Sequence, residues 1–380
     1  MKLFNDKKNC CGCTMCMNIC PQKAITMLED EEGFKYPVID EAKCVNCGLC
    51  KKKCPLENDE KLKTNNIKVY AVKNKNEQIR LNSTSGGIFS VLAEHFLDLD
   101  GVVYGAAFDH KNVVNHQIIK NKNEIFKLRG SKYVQSELGY IFTDVKKNLE
   151  LNKKVIFSGT PCQIAGLKSY LLKDYENLLL CDIVCHGVPS PKIYREYISW
   201  IKSIYGNFSS FNFRDKEISW HGANVSIITD KKKIINTNYL KTFTDIYFSD
   251  FISRPSCGNC KFTSIKRVSD ITIGDFWGIK KIAPKFYDNS GVSLVLVNSE
   301  KGEKIFADIK EKLNIYESNI KECLQPQLLE PVKPNRHREN FWNYYKKKGT
   351  ISALKKFSHY GLKRKILSYS KRIIKKLLHR

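Results

Sequence analysis

From Ile67 onward, apolar residues recur with two alternating periods. Val69 to Val72 is a short apolar run of strand type, and Ile88 to Leu99 carries apolar residues at 88, 89, 91, 92, 96, 97 and 99, a helical period. Gly101 to Phe108 reads as a second strand. Lys154 to Ser158 reads as a buried strand, followed by a turn and a helix from about Gln163 to Leu172; Leu178 to Val184 is a further apolar strand. Strands alternating with helices predict an α/β (α+β) fold with a mostly parallel sheet covered by helices. The stretch from about Ser209 to Gly278 is richer in strand and loop. Before Ile67, a charged segment from Glu57 to Asn66 reads as a linker.

A chain of 380 residues with 42% hydrophobic residues and 20 phenylalanines can fill a sizeable core across two or three domains. No apolar run approaches the roughly 18 to 20 residues of a membrane span. The net charge of +25 suggests nucleic acid at first, but its distribution argues otherwise: residues 346–380 hold 13 Lys/Arg and no Asp or Glu. In that tail Ile366, Leu367, Ile373, Ile374, Leu377 and Leu378 fall on one helical stripe. Two readings stand, a basic amphipathic helix for an anionic membrane surface or acidic partner, and a helix packed on the body with a solvated basic face. No nucleic-acid partner is expected, since no reading fold or aromatic-interleaved basic motif accompanies the charge.

The cysteines change the picture most. Cys10, Cys13, Cys16, Cys20 and Pro21 make one C-x2-C-x2-C-x3-C-P run, and Cys44, Cys47, Cys50, Cys54 and Pro55 make a second. This is the run that holds [4Fe–4S] clusters in bacterial ferredoxins, where the fourth cysteine serves the other cluster. The expected sets are Cys10, Cys13, Cys16 and Cys54, and Cys44, Cys47, Cys50 and Cys20, with Cys11 a spare thiol. Zinc has no use for the third in-phase cysteine of each run. Disulfides belong to small secreted domains, and Met1 to Lys8 has no apolar signal region. Residues 1–58 therefore read as a ferredoxin-like domain with two [4Fe–4S] clusters, which moves electrons.

The Rossmann glycine fingerprint, the P-loop, H-E-x-x-H and the radical-SAM C-x3-C-x2-C run are all missing. What remains is a set of turns. Ser85, Gly86 and Gly87 precede the 88–99 helix; the reading is either an anion site at a helix N-terminus, suited to a flavin pyrophosphate, or an ordinary serine N-cap. Gly159 and Thr160 end a strand at the carboxyl edge where ligands of parallel sheets bind, and Cys162 follows where a helix dipole lowers a thiol pKa. Cys162, Cys185, Cys257 and Cys260 suggest a third four-thiolate site, with Cys181 as competing ligand. Cys323 reads as structural.

Several short motifs, in order and spacing, resemble one family. Ser85-Gly86-Gly87, Gly130-Ser131-Lys132-Tyr133, Gly159-Thr160-Pro161-Cys162-Gln163, Cys185-His186-Gly187, Cys257-x2-Cys260 and Asp270 through Gly274-Asp275-Phe276-Trp277-Gly278 are similar to the coenzyme F-420 hydrogenase/dehydrogenase β-subunit family. The resemblance covers about residues 67–345. It implies an FAD domain with its own [4Fe–4S] cluster on Cys162, Cys185, Cys257 and Cys260, and a flavin site at the 85–87 and 131–133 turns. The chain then divides into the dicluster domain at 1–58, a family N-terminal region with the flavin turns at 67–150, a C-terminal region with the third cluster motif at 151–345, and the basic tail at 346–380. Members with an amino-terminal ferredoxin and this CHG-type turn resemble a bacterial branch associated with surface-polysaccharide genes; the resemblance does not identify the substrate, and a small or lipid-linked molecule of that kind, or a deazaflavin, is the expectation.

The expected function is an iron–sulfur flavoprotein oxidoreductase working with a ferredoxin or other redox protein, because a flavin joins one-electron clusters to two-electron substrates. The alternative is a non-catalytic electron-transfer subunit feeding a separate catalytic partner. His186 is the expected proton donor, with Lys132, Tyr133 and His221 as other polar groups near the flavin. The expected location is cytoplasmic, with the tail offering peripheral contact with the inner face of the membrane.

Overall fold

The computed structural model describes residues 3–58, 67–360 and residue 366. The basic stripe of the tail falls almost wholly outside the described residues.

In the first 58 residues, β1 (Ile25–Glu29) and β2 (Lys35–Ile39) form an antiparallel hairpin between two short helical turns, Met15–Ile19 and Leu49–Lys52. Each turn starts from a residue in the left-handed region, Thr14 and Gly48, which bends the backbone back around its cysteine loop.

The larger body is built on an eight-stranded sheet of β3 (Lys68–Asn74), β4 (Val102–Phe108), β5 (Val114–Ile119), β6 (Val155–Gly159), β7 (Leu178–Ile183), β11 (Ile271–Asp275), β12 (Ser293–Val297) and β13 (Leu313–Ser318). Its order is β13-β3-β12-β11-β7-β6-β4-β5. The parallel part is the centre, where β4, β6, β7 and β11 run together. Antiparallel strands close both sides: β5 beside β4, and β12, β3 and β13 beyond β11. The central strands are buried on both faces, as continuous apolar runs such as Val155–Phe157 require. The helix Ile88–Asp98 covers one face through Val91, Leu92 and Phe96. Helices Ile141–Glu150 and Pro161–Leu171 cover the other.

A smaller antiparallel sheet, β8 (Phe208–Asn212), β9 (Ser226–Thr229) and β10 (Lys233–Ile235), packs with helices Pro191–Tyr205 and Asn238–Tyr247 around Tyr194, Tyr197, Phe211, Phe213 and Phe243. Arg338–Phe357 is helical on both sides of a kink at Gly349 and crosses the expected boundary at 345/346, with Phe341, Trp342, Ala353 and Leu354 burying their side chains in this same cluster. Among the described residues no helix is long and apolar enough to cross a membrane.

Candidate redox centres and cofactor cavity

Three small cavities are each walled by four of the expected cysteines. Cys20, Cys44, Cys47 and Cys50 surround one, together with Ile25, Ile39 and Leu49. Cys10, Cys13, Cys16 and Cys54 surround the next, with Cys11 and Cys50 also in its wall. The two runs thus exchange their fourth cysteines, since the hairpin folds the proline end of each run towards the start of the other. Cys162, Cys185, Cys257 and Cys260 surround the third. Three segments far apart in sequence meet there: the start of the Pro161–Leu171 helix, the loop after β7, and the 3-10 turn Pro255–Asn259 with the residue after it. Among the described residues no three His, Cys, Asp or Glu side chains converge closely enough for a single ion. The thiols stand around a space, as a polynuclear centre needs.

Their electrostatics agree with that chemistry. The contact with Cys11 and then burial push the Cys162 thiol well above its usual value. Burial followed by the neighbouring thiols pushes Cys185 well up, and burial takes Cys257 to about 12. This corrects the expectation of a dipole-lowered Cys162: crowding and desolvation outweigh the helix end. Four such thiols cannot ionise together in a dry pocket unless a polycation supplies the missing charge, and a bound metal deprotonates its thiols outright. Cys181 lines none of these cavities; it is buried in the sheet core with Val103, Leu179 and Ile271. Cys323 is also buried, its thiol donating to the Ile320 carbonyl.

Beside the third cysteine cavity lies a cleft of about 500 Å³ at the carboxyl ends of β4, β6, β7 and β11. That volume suits a cofactor-sized ligand. Ser85, Gly87, Ser131, Lys132, Tyr133, Gly159, Thr160 and His186 all line it. Gly86 does not. It is buried against β3 and β12, where a Cβ would lie 2.2 Å from the Val72 carbonyl oxygen, and its N–H donates to Ser293 Oγ at 2.8 Å. Gly87, at φ +88°, is the N-cap of the Ile88–Asp98 helix and offers no side-chain cap, so the serine-cap reading does not hold here. The two flavin-type turns are joined by Thr84, whose Oγ1 accepts from Ser131 N at 2.9 Å and from Ser131 Oγ at 3.2 Å. Lys132 donates to the carbonyls of Arg129 (2.8 Å) and Lys127 (3.0 Å), and desolvation brings its amine down to about 7. His221 stands outside the cleft, exposed and bonded to the Tyr287 hydroxyl at 3.1 Å.

Other lining groups were not singled out from the sequence. Arg214, buried, donates to Tyr133 Oη and Asp275 Oδ2, each at 3.1 Å, while Trp220 Nε1 donates to Asp275 Oδ1 at 2.7 Å. The charged residues of the wall are Arg129, Lys132 and Arg214 against Asp275 alone, so the cleft favours an anion. His116 is buried, and burial lowers its ring to about 4. Its Nε2 faces the Ser158 carbonyl at 3.0 Å, which can only accept, so that nitrogen carries the proton; Nδ1 accepts from Ser136 Oγ at 2.9 Å. Ser136 Oγ accepts from Gln163 Nε2 at 3.0 Å, and Gln163 Oε1 accepts from Thr160 N at 2.9 Å. This relay fixes the Gly159–Gln163 turn between cleft and third cavity. No local motif advertises it, because its members come from three separate segments.

His186 lines both the cleft and the third cavity. Its Nε2 donates to Asp250 Oδ1 at 2.9 Å and its Nδ1 lies 3.4 Å from Gln327 Nε2.

Comparison with known proteins accords with this layout. Residues 9–58 match the 4Fe-4S dicluster domain. Residues 69–142 and 152–322 match the N-terminal and C-terminal models of the coenzyme F420 hydrogenase/dehydrogenase beta subunit. A coenzyme F420-dependent sulfite reductase of Methanocaldococcus jannaschii is 23% identical over 357 residues, covering 90% of this chain and 53% of that protein. An NADH-quinone oxidoreductase subunit I of Geobacter metallireducens is 37% identical over 62 residues, covering 15% of this chain and 47% of that protein. The chain therefore spans about half the length of each of these two curated relatives. An F420-reducing [NiFe] hydrogenase complex from Methanosarcina barkeri contains a chain that superposes with a TM-score of 0.46 at 15% identity, over 77% of this chain and 91% of that one. By its matched regions, the chain belongs to the coenzyme F420 hydrogenase/dehydrogenase β-subunit family, joined to a 4Fe–4S dicluster domain.

Proposed function

We propose that this chain is a flavin-dependent oxidoreductase that exchanges electrons between a ferredoxin-type protein and a substrate held in the cleft. One observation carries the reading: the cavities share walls in series. Cys50 lines the first two, Cys11 lines the second and third, and Cys185, His186 and Gly187 line the third and the cleft. In this reading the three cysteine sets hold [4Fe–4S] clusters, and the 85–87 and 131–133 turns with Gly159 and Thr160 hold FAD. Clusters supply one-electron steps, and a flavin exchanges one-electron for two-electron chemistry.

The chain's own residues bind, orient and supply protons. Lys132 and Arg214 offset anionic groups of the ligand, and the Ile88–Asp98 helix presents its uncapped N-terminal amides to them. Trp277, half-exposed and stacked on Trp220 at 5.1 Å, forms an aromatic wall. His186, oriented by Asp250, holds a proton at the boundary between cleft and third cavity. Coenzyme F420, named in the relatives, is the first substrate to test; a polysaccharide precursor is the next.

A second reading, an electron-transfer subunit serving a separate catalytic protein, draws support from the half-length match to the sulfite reductase. Anaerobic purification with iron, sulfide and flavin measured per chain separates these. About 12 irons and one FAD, falling to about 8 irons in Cys162→Ser/Cys257→Ser, are expected. Flavin with turnover of the isolated chain supports the enzyme; flavin with no turnover until a partner is added supports the subunit. About 8 irons without flavin overturns the flavoenzyme and reduces the chain to a dicluster electron carrier.

A further inference from the structure

Arg254 is 1% exposed, yet among the described residues no carboxylate lies within ion-pair distance of it. A buried guanidinium without a counter-charge is costly. Its hydrogen bonds go to neutral oxygens: Nε to the Cys10 carbonyl at 2.9 Å, Nη1 to Gln135 Oε1 at 2.9 Å, and Nη2 to the Lys35 carbonyl at 3.0 Å. Nη2 also points at Cys10 Sγ, 3.9 Å away. The guanidinium lies over the Tyr36 ring at 4.3 Å and the Phe34 ring at 5.4 Å.

The same side chain lines the third cysteine cavity, and its carbonyl accepts from Cys257 N at 2.9 Å. The cluster loop makes room for it. Gly12, at φ +71°, would carry a Cβ 2.8 Å from Nη1, so a larger residue there would collide with the guanidinium. Arg254 thus reaches from the body into the first cysteine loop and stands between two four-thiolate sets.

We infer that Arg254 is a positioning residue of the electron path, a fixed positive charge whose counter-ions are the cysteine-held clusters on either side of it. This rests on the ligand sets proposed above. Reduction adds one negative charge to a cluster, and net charge and hydrogen bonds to sulfur set its potential. A permanent cation at 3.9 Å from one ligand sulfur therefore favours the reduced form and holds an arriving electron at this junction. The site on Cys20, Cys44, Cys47 and Cys50 lies beyond it, and none of the hydrogen bonds of Arg254 goes to those four residues.

The test is EPR-monitored potentiometry on the full-length, anaerobically purified protein, with dithionite as titrant and iron measured on each sample. In Arg254→Gln the midpoints of the two flanking clusters should fall, about tenfold or more in the reduction equilibrium constant, which is about 59 mV for one electron. The cluster on Cys20, Cys44, Cys47 and Cys50 should stay put as internal control, and Arg254→Lys should recover most of the shift. Gln135→Glu keeps the arginine and sets a carboxylate against Nη1, so its midpoints should fall too, which decides the matter even where Arg254→Gln loses iron. Unmoved midpoints in Gln135→Glu at full iron content, or an equal fall of all three clusters in Arg254→Gln, overturn the inference. A parent protein lacking iron at either flanking set overturns the ligand assignment itself.

Discussion

Gly166 and Cys13 touch across the seam between the dicluster domain and the helix that carries Cys162. A Cβ on Gly166 would lie 2.8 Å from Cys13 Cβ and 3.1 Å from its sulfur, closer than real Cβ contacts allow. The helix backbone therefore packs directly against the loop that carries Cys13. Gly166→Ala should displace the Cys10–Cys16 loop and lower iron from about 12 towards about 8 per chain, with flavin retained. Iron analysis beside flavin absorbance checks this; full iron would mean that the seam yields.

The β1–β2 hairpin seats on the body through charge. Glu32 takes a two-point bond from Arg338, with Nη1 to Oε1 at 2.9 Å, and Arg195 holds both oxygens of Glu29 at 2.7 and 2.8 Å. The first pair is mostly buried and the second is about a third exposed. Arg338→Ala should cost about 2 kcal/mol, because it strands a mostly buried carboxylate. Arg195→Ala should cost under about 1 kcal/mol. Limited proteolysis of the hairpin in each variant, at low and high salt, ranks the two.

His116 gives the protein an acid sensitivity of definite sign. Its ring titrates near 4 in the fold, chiefly through burial, against about 6.5 unfolded. The unfolded chain therefore binds more protons between those values, and stability contributed above pH 6.5 is lost as pH falls towards 4. By linkage the loss is about 2 kcal/mol at pH 5. Thermal midpoints at pH 7 and pH 5, taken at one scan rate, should drop further in the parent than in His116→Gln. Equal drops would remove His116 as the cause.

Cys11 is buried between the set of Cys10, Cys13, Cys16 and Cys54 and the set of Cys162, Cys185, Cys257 and Cys260, touching Cys13 and Cys162, without completing either set of four. Cys11→Ala should keep about 12 irons per chain, in contrast to Cys54→Ser. Loss of four irons from Cys11→Ala would make it a ligand and unseat one of the others.

Much of this was legible in the chain. The strands at 69–72, 101–108, 154–158 and 178–184 and the helix at 88–99 follow from local period, because each buries a continuous run or one face. The β1–β2 hairpin, β5, and the strands β12 and β13 were not read out. Pairing partners far apart in sequence decide the last two: β3 sits between β12 and β13, more than 200 residues later. The cleft shows the same division. Its turns are short motifs, whereas Arg214, Gln327 and the His116 and Ser136 partners of Gln163 reach it from segments remote in the chain.

By itself the sequence determined that eight cysteines in two phased runs form an iron–sulfur module, since the spacing is a local property of the loop that wraps a cluster. It also determined the α/β alternation, which is written in hydrophobic period. Only the tertiary structure decided which thiols face which cavity, that Cys181 belongs to the core, and that Arg254 stands at the junction. Those depend on which surfaces of distant segments come into contact, and no residue's own neighbours along the chain carry that information.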